Sequence, residues 1–188
     1  MVHWWLWLII ILAAFLVLLF LSYFNKIVVL SNRIDNAFSQ IDVQLKKRAD
    51  LVPNLIEAVK GYVKHEKEMI AKVTDARKAL IGAIPSSDMA KKLKAGDVLQ
   101  KALRSVFAIA EAYPQLRANE NFIQLQQELS DIEDKVAYAR QFYNDSVMDY
   151  NNTCRTVPGM WFAKWFGKKE GKYLEIPAAA REVPKVKF

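Results

Sequence analysis

Residues 4–24, WWLWLIIILAAFLVLLFLSYF, hold no charged side chain, and their only polar groups are Ser22 and the Tyr23 hydroxyl. About 20 apolar residues cross a bilayer core as one helix, so this run limits the chain to folds that keep it out of water. Aromatic residues mark both ends, with Trp4, Trp5 and Trp7 at one and Tyr23 and Phe24 at the other, where anchoring at the two membrane interfaces would put them. A cleaved signal peptide would need a basic leading region, a shorter apolar core and small residues at the cleavage site. Only Val2 and His3 lie between Met1 and Trp4, and the run leads into LSYFNK, so residues 1–25 are expected to be a short exterior N-terminus and a transmembrane anchor.

Every Lys, Arg, Asp and Glu lies at or beyond Lys26, so the formal net charge of +7 belongs entirely to the rest of the chain. The mean hydropathy of +0.01 therefore averages two unlike parts. Lys26, Arg33, Lys46, Lys47 and Arg48 follow the apolar run and no Lys or Arg precedes it, so the positive-inside rule is expected to place the body in the cytoplasm and the short N-terminus outside. A basic surface suits anionic lipid headgroups. Nucleic acid is not expected as a partner, because the basic residues alternate with acidic ones and form no basic run or helix-turn-helix pattern. One cysteine, Cys154, rules out an internal disulfide and reads as a small buried side chain on a helix.

Beyond the anchor the apolar residues recur every three or four positions. Ile27, Leu30, Ile34, Phe38, Ile41 and Leu45 form one helical stripe with nothing to break it before residue 49, so the membrane helix is expected to continue into the body. Pro53 is the first punctuation and predicts a break, with a second helix over Leu55, Val59, Tyr62, Met69, Val73, Ala76 and Leu80. Residues 82–96 mix Gly, Pro, Ser and charge and read as a loop, with Asp97 capping the helix that follows and Pro114 ending it. The longest stripe runs through Phe122, Leu125, Leu129, Ile132, Val136, Ala139, Tyr143, Ser146 and Tyr150 at coiled-coil spacing. Such helices must pack on one another or on partner chains, so the expected fold is all-α, one transmembrane helix continuing into an antiparallel bundle of long helices over residues 26–157. Residues 158–188 form an aromatic and basic hook and an extended tail. In the hook Trp161, Phe162, Trp165 and Phe166 stand beside Lys164, a pattern that suits either a membrane interface or packing into the bundle.

The motifs of chemistry are missing. HEKEM at residues 65–69 lacks the second histidine of a zinc-binding HExxH, and no phosphate-binding or nucleophile-elbow pattern occurs. No metal, cofactor or catalytic residue is expected, and the chain is not expected to be an enzyme. A polar set remains near the helical seams: Arg33, Asp35, Asn36, Gln40, Asp42 and Gln44 on the first helix, and Arg140, Asn144, Asp145 and Asn151 on the last. These residues either fix helix register through interhelical hydrogen bonds or form an assembly surface.

Several blocks in order resemble the bacterial LemA family: NRIDNAFSQIDVQLKKRADLVPNLIEAVKGYVKHE from residue 32, VTDAR from 73, FAIAEAYPQLRANENFIQLQQEL from 107, ARQFYND from 139, YN at 150 and the closing PKVKF. The resemblance implies one N-terminal membrane helix, a short exterior N-terminus and a cytoplasmic helical domain, and it implies no activity or cofactor. The expected function is a membrane-anchored helical scaffold, self-associating as a homo-oligomer beside the bilayer. The alternative is an adaptor that recruits an envelope enzyme or protease through its tail or polar seam.

Overall fold

The structure, a computed structural model, describes residues 4–62 and 66–174. Six helices and no strand occur among them: α1 (Trp4–Lys60), α2 (Lys67–Ala83), α3 (Met89–Ala110), α4 (Pro114–Arg117), α5 (Glu120–Arg155) and α6 (Gly159–Trp165). The fold is all-α, as the stripes predict. Contacts divide the chain into two compact units, and both long helices contribute to each. The described residues of the first unit are 4–37 and 142–173; those of the second are 38–62, 66–141 and 174.

In the first unit the N-terminal part of α1 is exposed throughout residues 4–18, a run of bulky apolar side chains from Trp4 to Leu18 that includes three tryptophans and Phe15. Within α1 lies the one stretch among the described residues long and apolar enough to cross a membrane. A helix apolar and exposed on every side has lipid as its matching environment. From Ile27 on the exposure becomes one-sided. Ile27 and Leu30 pack with Tyr150 and Cys154 of α5 and Ala163 of α6, and Ile34 and Phe166 lie against them. Arg33 reaching Asp149, and Tyr23 lying beside Gly159, show α1 and α5 running antiparallel here.

The second unit is a helical bundle. Its core takes Ala37's successors on the α1 stripe, Ile41, Leu45, Ala49, Val52, Leu55 and Val59, together with Leu80, Leu99, Leu103, Phe122 and Val136. Helix α1 runs through Pro53 to Lys60, contrary to the break predicted there. Proline removes the amide that would bond the carbonyl four residues back, here that of Ala49, which is fully buried. Arg77 supplies the missing donor: its Nε lies 2.8 Å from the Ala49 oxygen. The apolar stripe also passes Pro53 in phase, with Ala49, Val52, Leu55 and Val59 all buried. The helix ends instead at Lys60, before Gly61 and Tyr62.

The loop predicted over residues 82–96 is shorter. Helix α2 reaches Ala83 and α3 begins at Met89, capped by Asp88, whose carboxylate accepts from the amides of Ala90 at 3.0 Å and Lys91 at 3.3 Å. The predicted cap, Asp97, lies inside α3. The buried face of this first part is Met89, Lys92, Leu93 and Gly96, so half of its helical period is carried by residues that a count of apolar side chains passes over. Gly96 makes a close approach, since a Cβ there would lie 2.7 Å from Leu45 Cδ2 and the leucine would have to shift. The connection predicted over residues 114–121 contains the single turn α4, with Pro114 at its start and Leu116 buried. Asn119 then caps α5 by accepting from the Phe122 amide at 3.0 Å and donates to the Tyr62 hydroxyl at 3.0 Å.

The Pro53 account is testable. Arg77→Met should destabilise the full chain by about 1–3 kcal/mol, the cost of one buried carbonyl without a partner. In a Pro53→Ala background most of that loss should disappear, because the restored amide reaches Ala49. Unfolding midpoints of the four detergent-solubilised proteins measure this, and equal losses in both backgrounds would contradict it.

Candidate functional site

Two groups of side chains stand out, one in each unit. In the second unit three ion pairs join α1, α3 and α5. Lys92 Nζ lies 2.6 Å from Asp42 Oδ2 and 4.5 Å above the Phe38 ring, Arg48 pairs with Glu133, and Arg140 Nη2 lies 2.6 Å from Asp97 Oδ1. Arg48 and Lys92 are buried as fully as core leucines, at 0% and 2% exposure. Burial pulls the Arg48 guanidinium down from its ordinary pKa, and the Glu133 carboxylate opposes that shift. Three cations meet three anions, so the layer is close to neutral, which is the condition for keeping charges away from water. It is not fully satisfied: Asp42 Oδ1, Gln44 Oε1, Arg48 Nε and Arg140 Nε are buried atoms without a partner among the described residues. A layer of this kind contributes little net stability, and it penalises any slip of one helix against another, since a slip would strand buried charges.

Of the polar residues picked out by the seams, Asp42 and Arg140 belong to this layer. Arg33 pairs with Asp149 across the first unit at 3.3 Å, both half-exposed. Asp35 is exposed on α1, and its charge, after burial, helps push the Tyr143 hydroxyl above its ordinary pKa. Asn36 and Gln40 are exposed and Asn144 half-buried. Sequence reasoning missed Arg48, Lys92, Glu133, Asp97 and Arg77 as site residues. The signal for Arg48 and Lys92 was present, because each falls in register with apolar neighbours, Leu45 and Val52 for the first, Met89 and Leu99 for the second.

In the first unit the hook forms α6, and its rings close on the end of the apolar run. Phe162 stacks on Tyr23 with centroids 5.3 Å apart, and Phe166 meets Phe20 at 5.3 Å and Phe24 at 5.2 Å edge to face. Trp165 touches Phe20 at 5.7 Å yet stays 76% exposed, Trp161 is 60% exposed, and Lys164 is exposed between them. Trp4, Trp5 and Trp7 are exposed at the start of α1. The segment after α6 is strapped back along α5. Asn151 exchanges two hydrogen bonds with Gly171, donating to its carbonyl at 3.0 Å and accepting from its amide at 2.8 Å. Tyr143 donates to the Lys172 carbonyl at 3.3 Å, and Arg155 Nε donates to Glu170 at 2.9 Å, which holds the Glu170 carboxyl below the usual carboxylate range. Cys154 is buried beside Tyr150, and burial pushes its thiol up, the opposite of an activated nucleophile.

Among the described residues no three His, Cys, Asp or Glu side chains converge as a metal site would require, and His65 lies outside them. The grooves of the second unit are shallow and open. Two of them adjoin along α1 and α5, sharing Leu51 and Glu128.

An all-helical chain with one helix apolar enough to cross a membrane, and with its buried polar groups spent on joining helices, defines a membrane-associated helical protein. The chain belongs to the LemA family, whose profile matches residues 37–188. It is 28% identical to the protein LemA of Metamycoplasma hominis over 133 residues, a match that covers 70% of this chain and 59% of that protein. It is also 24% identical to the magnetosome protein MamQ of Magnetospirillum gryphiswaldense, covering 89% of this chain and 70% of the relative. MamQ 2 of Paramagnetospirillum magneticum matches at 22% over 86% of this chain and 68% of its own length.

The register role of the layer has a measurable signature. Arg48→Met should cost about 2–4 kcal/mol, below the full range for a broken buried pair because Glu133 is a third exposed and can rehydrate. Replacing both partners, Arg48→Met with Glu133→Leu, should recover most of that loss in the thermal midpoint. A double variant as unstable as the single one would contradict a pairing role.

Proposed function

We propose that this protein is a membrane-tethered helical scaffold that self-associates at the cytoplasmic face of a bacterial inner membrane and catalyses no reaction. The observation that carries the reading is α1, in which a fully exposed apolar stretch continues without interruption into the core helix of a bundle. The positive-inside rule supports the body lying in the cytoplasm and the N-terminus outside, since the basic residues lie beyond Lys26. Exposed apolar side chains on the first unit's part of α5, Phe142 and Met148, offer a surface for a second copy.

A second reading is an adaptor for another protein, and the open groove along α1 and α5 favours it. Its rim of Asn54, Glu57, Asn121, Gln124 and Glu128 around Leu51 and Leu125 has the polar edge and apolar floor of a peptide-binding surface.

Mass measurement of the full chain in nanodiscs or detergent separates the two. The scaffold reading predicts dimers or larger species that grow with concentration and shrink when Phe142 and Met148 become Ser. Monomers at every concentration would contradict self-association.

A further inference from the structure

Helix α6 sits where the uncharged run of α1 gives way to the first charged residue, Lys26, because its rings close on Phe20, Tyr23 and Phe24. A residue at that position on a membrane-crossing helix lies at the level of the lipid headgroups. Three large apolar side chains of the hook stay exposed, Met160, Trp161 and Trp165, the last even though its ring meets Phe20. Around them Lys164, Lys168 and Lys169 are exposed. Glu170, which follows Lys169 in the chain, is already paired with Arg155. The element is also built in advance. The Asn151–Gly171 exchange and the Tyr143 bond to Lys172 hold the strap that follows it, and the Ala163 carbonyl accepts from the Lys168 amide at 3.0 Å. Binding would therefore carry little ordering cost.

We propose that α6 and its lysines form an interfacial foot that seats in the headgroup layer of an anionic bilayer, a second membrane contact beside the span. Indole rings prefer that layer because one edge is apolar and the N–H wants a polar partner. The lysines find phosphate and carboxylate charge there, and their aliphatic stems lie along the apolar boundary. The foot fixes the rotation of α1 about its axis. The proposal rests on residues 4–24 spanning a bilayer.

Two versions of the full chain test both ideas separately. One carries Trp4→Phe, Trp5→Phe and Trp7→Phe and reports from Trp161 and Trp165; the other carries Trp161→Phe and Trp165→Phe and reports from the span. Each is placed in nanodiscs of phosphatidylcholine with phosphatidylglycerol, containing lipids brominated at shallow acyl positions. The foot tryptophans should lose intensity to the brominated lipid and resist acrylamide. That loss should weaken in discs without phosphatidylglycerol and after Lys164→Gln, Lys168→Gln and Lys169→Gln. Foot tryptophans open to acrylamide and blind to bromine would overturn the proposal, and so would tryptophans shielded from both, which would mean a protein cover. Bromine quenching that ignores lipid charge and lysine replacement would overturn the anionic preference. If the span tryptophans are blind to bromine, it is the membrane-span reading that fails.

Discussion

Helix α1 has to suit two solvents in one uninterrupted run, and the other features follow from that. Over residues 4–18 it is exposed on all sides and uncharged. From Ile27 it becomes an amphipathic core helix with a single buried stripe. In lipid every side of a helix can be apolar, whereas in water only the packed side can, so the change in pattern marks where one environment replaces the other. The aromatic closure by α6 falls at that change, and the first ion pair from α1 to α5, Arg33 with Asp149, falls just beyond it.

Continuity through Pro53 carries α1 along the core of the second unit, and it depends on a side chain from elsewhere in the chain. A proline in a helix interior costs about 3 kcal/mol, part of it from the released carbonyl. Arg77 meets that carbonyl from α2, and the guanidinium suits the task because it keeps its charge and directs several donors. The three part-buried ion pairs act differently. They join α1, α3 and α5, and their unpartnered atoms show that maximal stability is not their effect.

Much of this was legible in the sequence, because uncharged runs and apolar spacing report directly on burial. The stripe from Phe122 to Tyr150 predicted α5, and its members are buried or half-buried in the structure. The errors lie where burial is carried by something other than apolar side chains. Pro53 read as a break because its compensation comes from Arg77, and no local pattern links the two residues. The start of α3 read as a loop because Lys92 and Gly96 hold half its inner face, one through an ion pair and one through close approach to Leu45. The polar seam yielded Asp42 and Arg140 but not their partners, since a buried charge is recognised only when the charge opposite is known. The hook offered two destinations, and its rings reach the end of the apolar run, with Trp161 and Trp165 left exposed.

The central claim is that α1 is one helix with two surfaces, and accessibility of single spin labels along it in nanodiscs tests this most directly. The account predicts that labels over residues 4–24 collide with oxygen and not with a water-soluble nickel reagent. From residue 27 to 60 nickel access should rise and fall every three to four residues, with no phase slip at Pro53. Nickel access throughout residues 4–24, or a broken phase at Pro53, would contradict it.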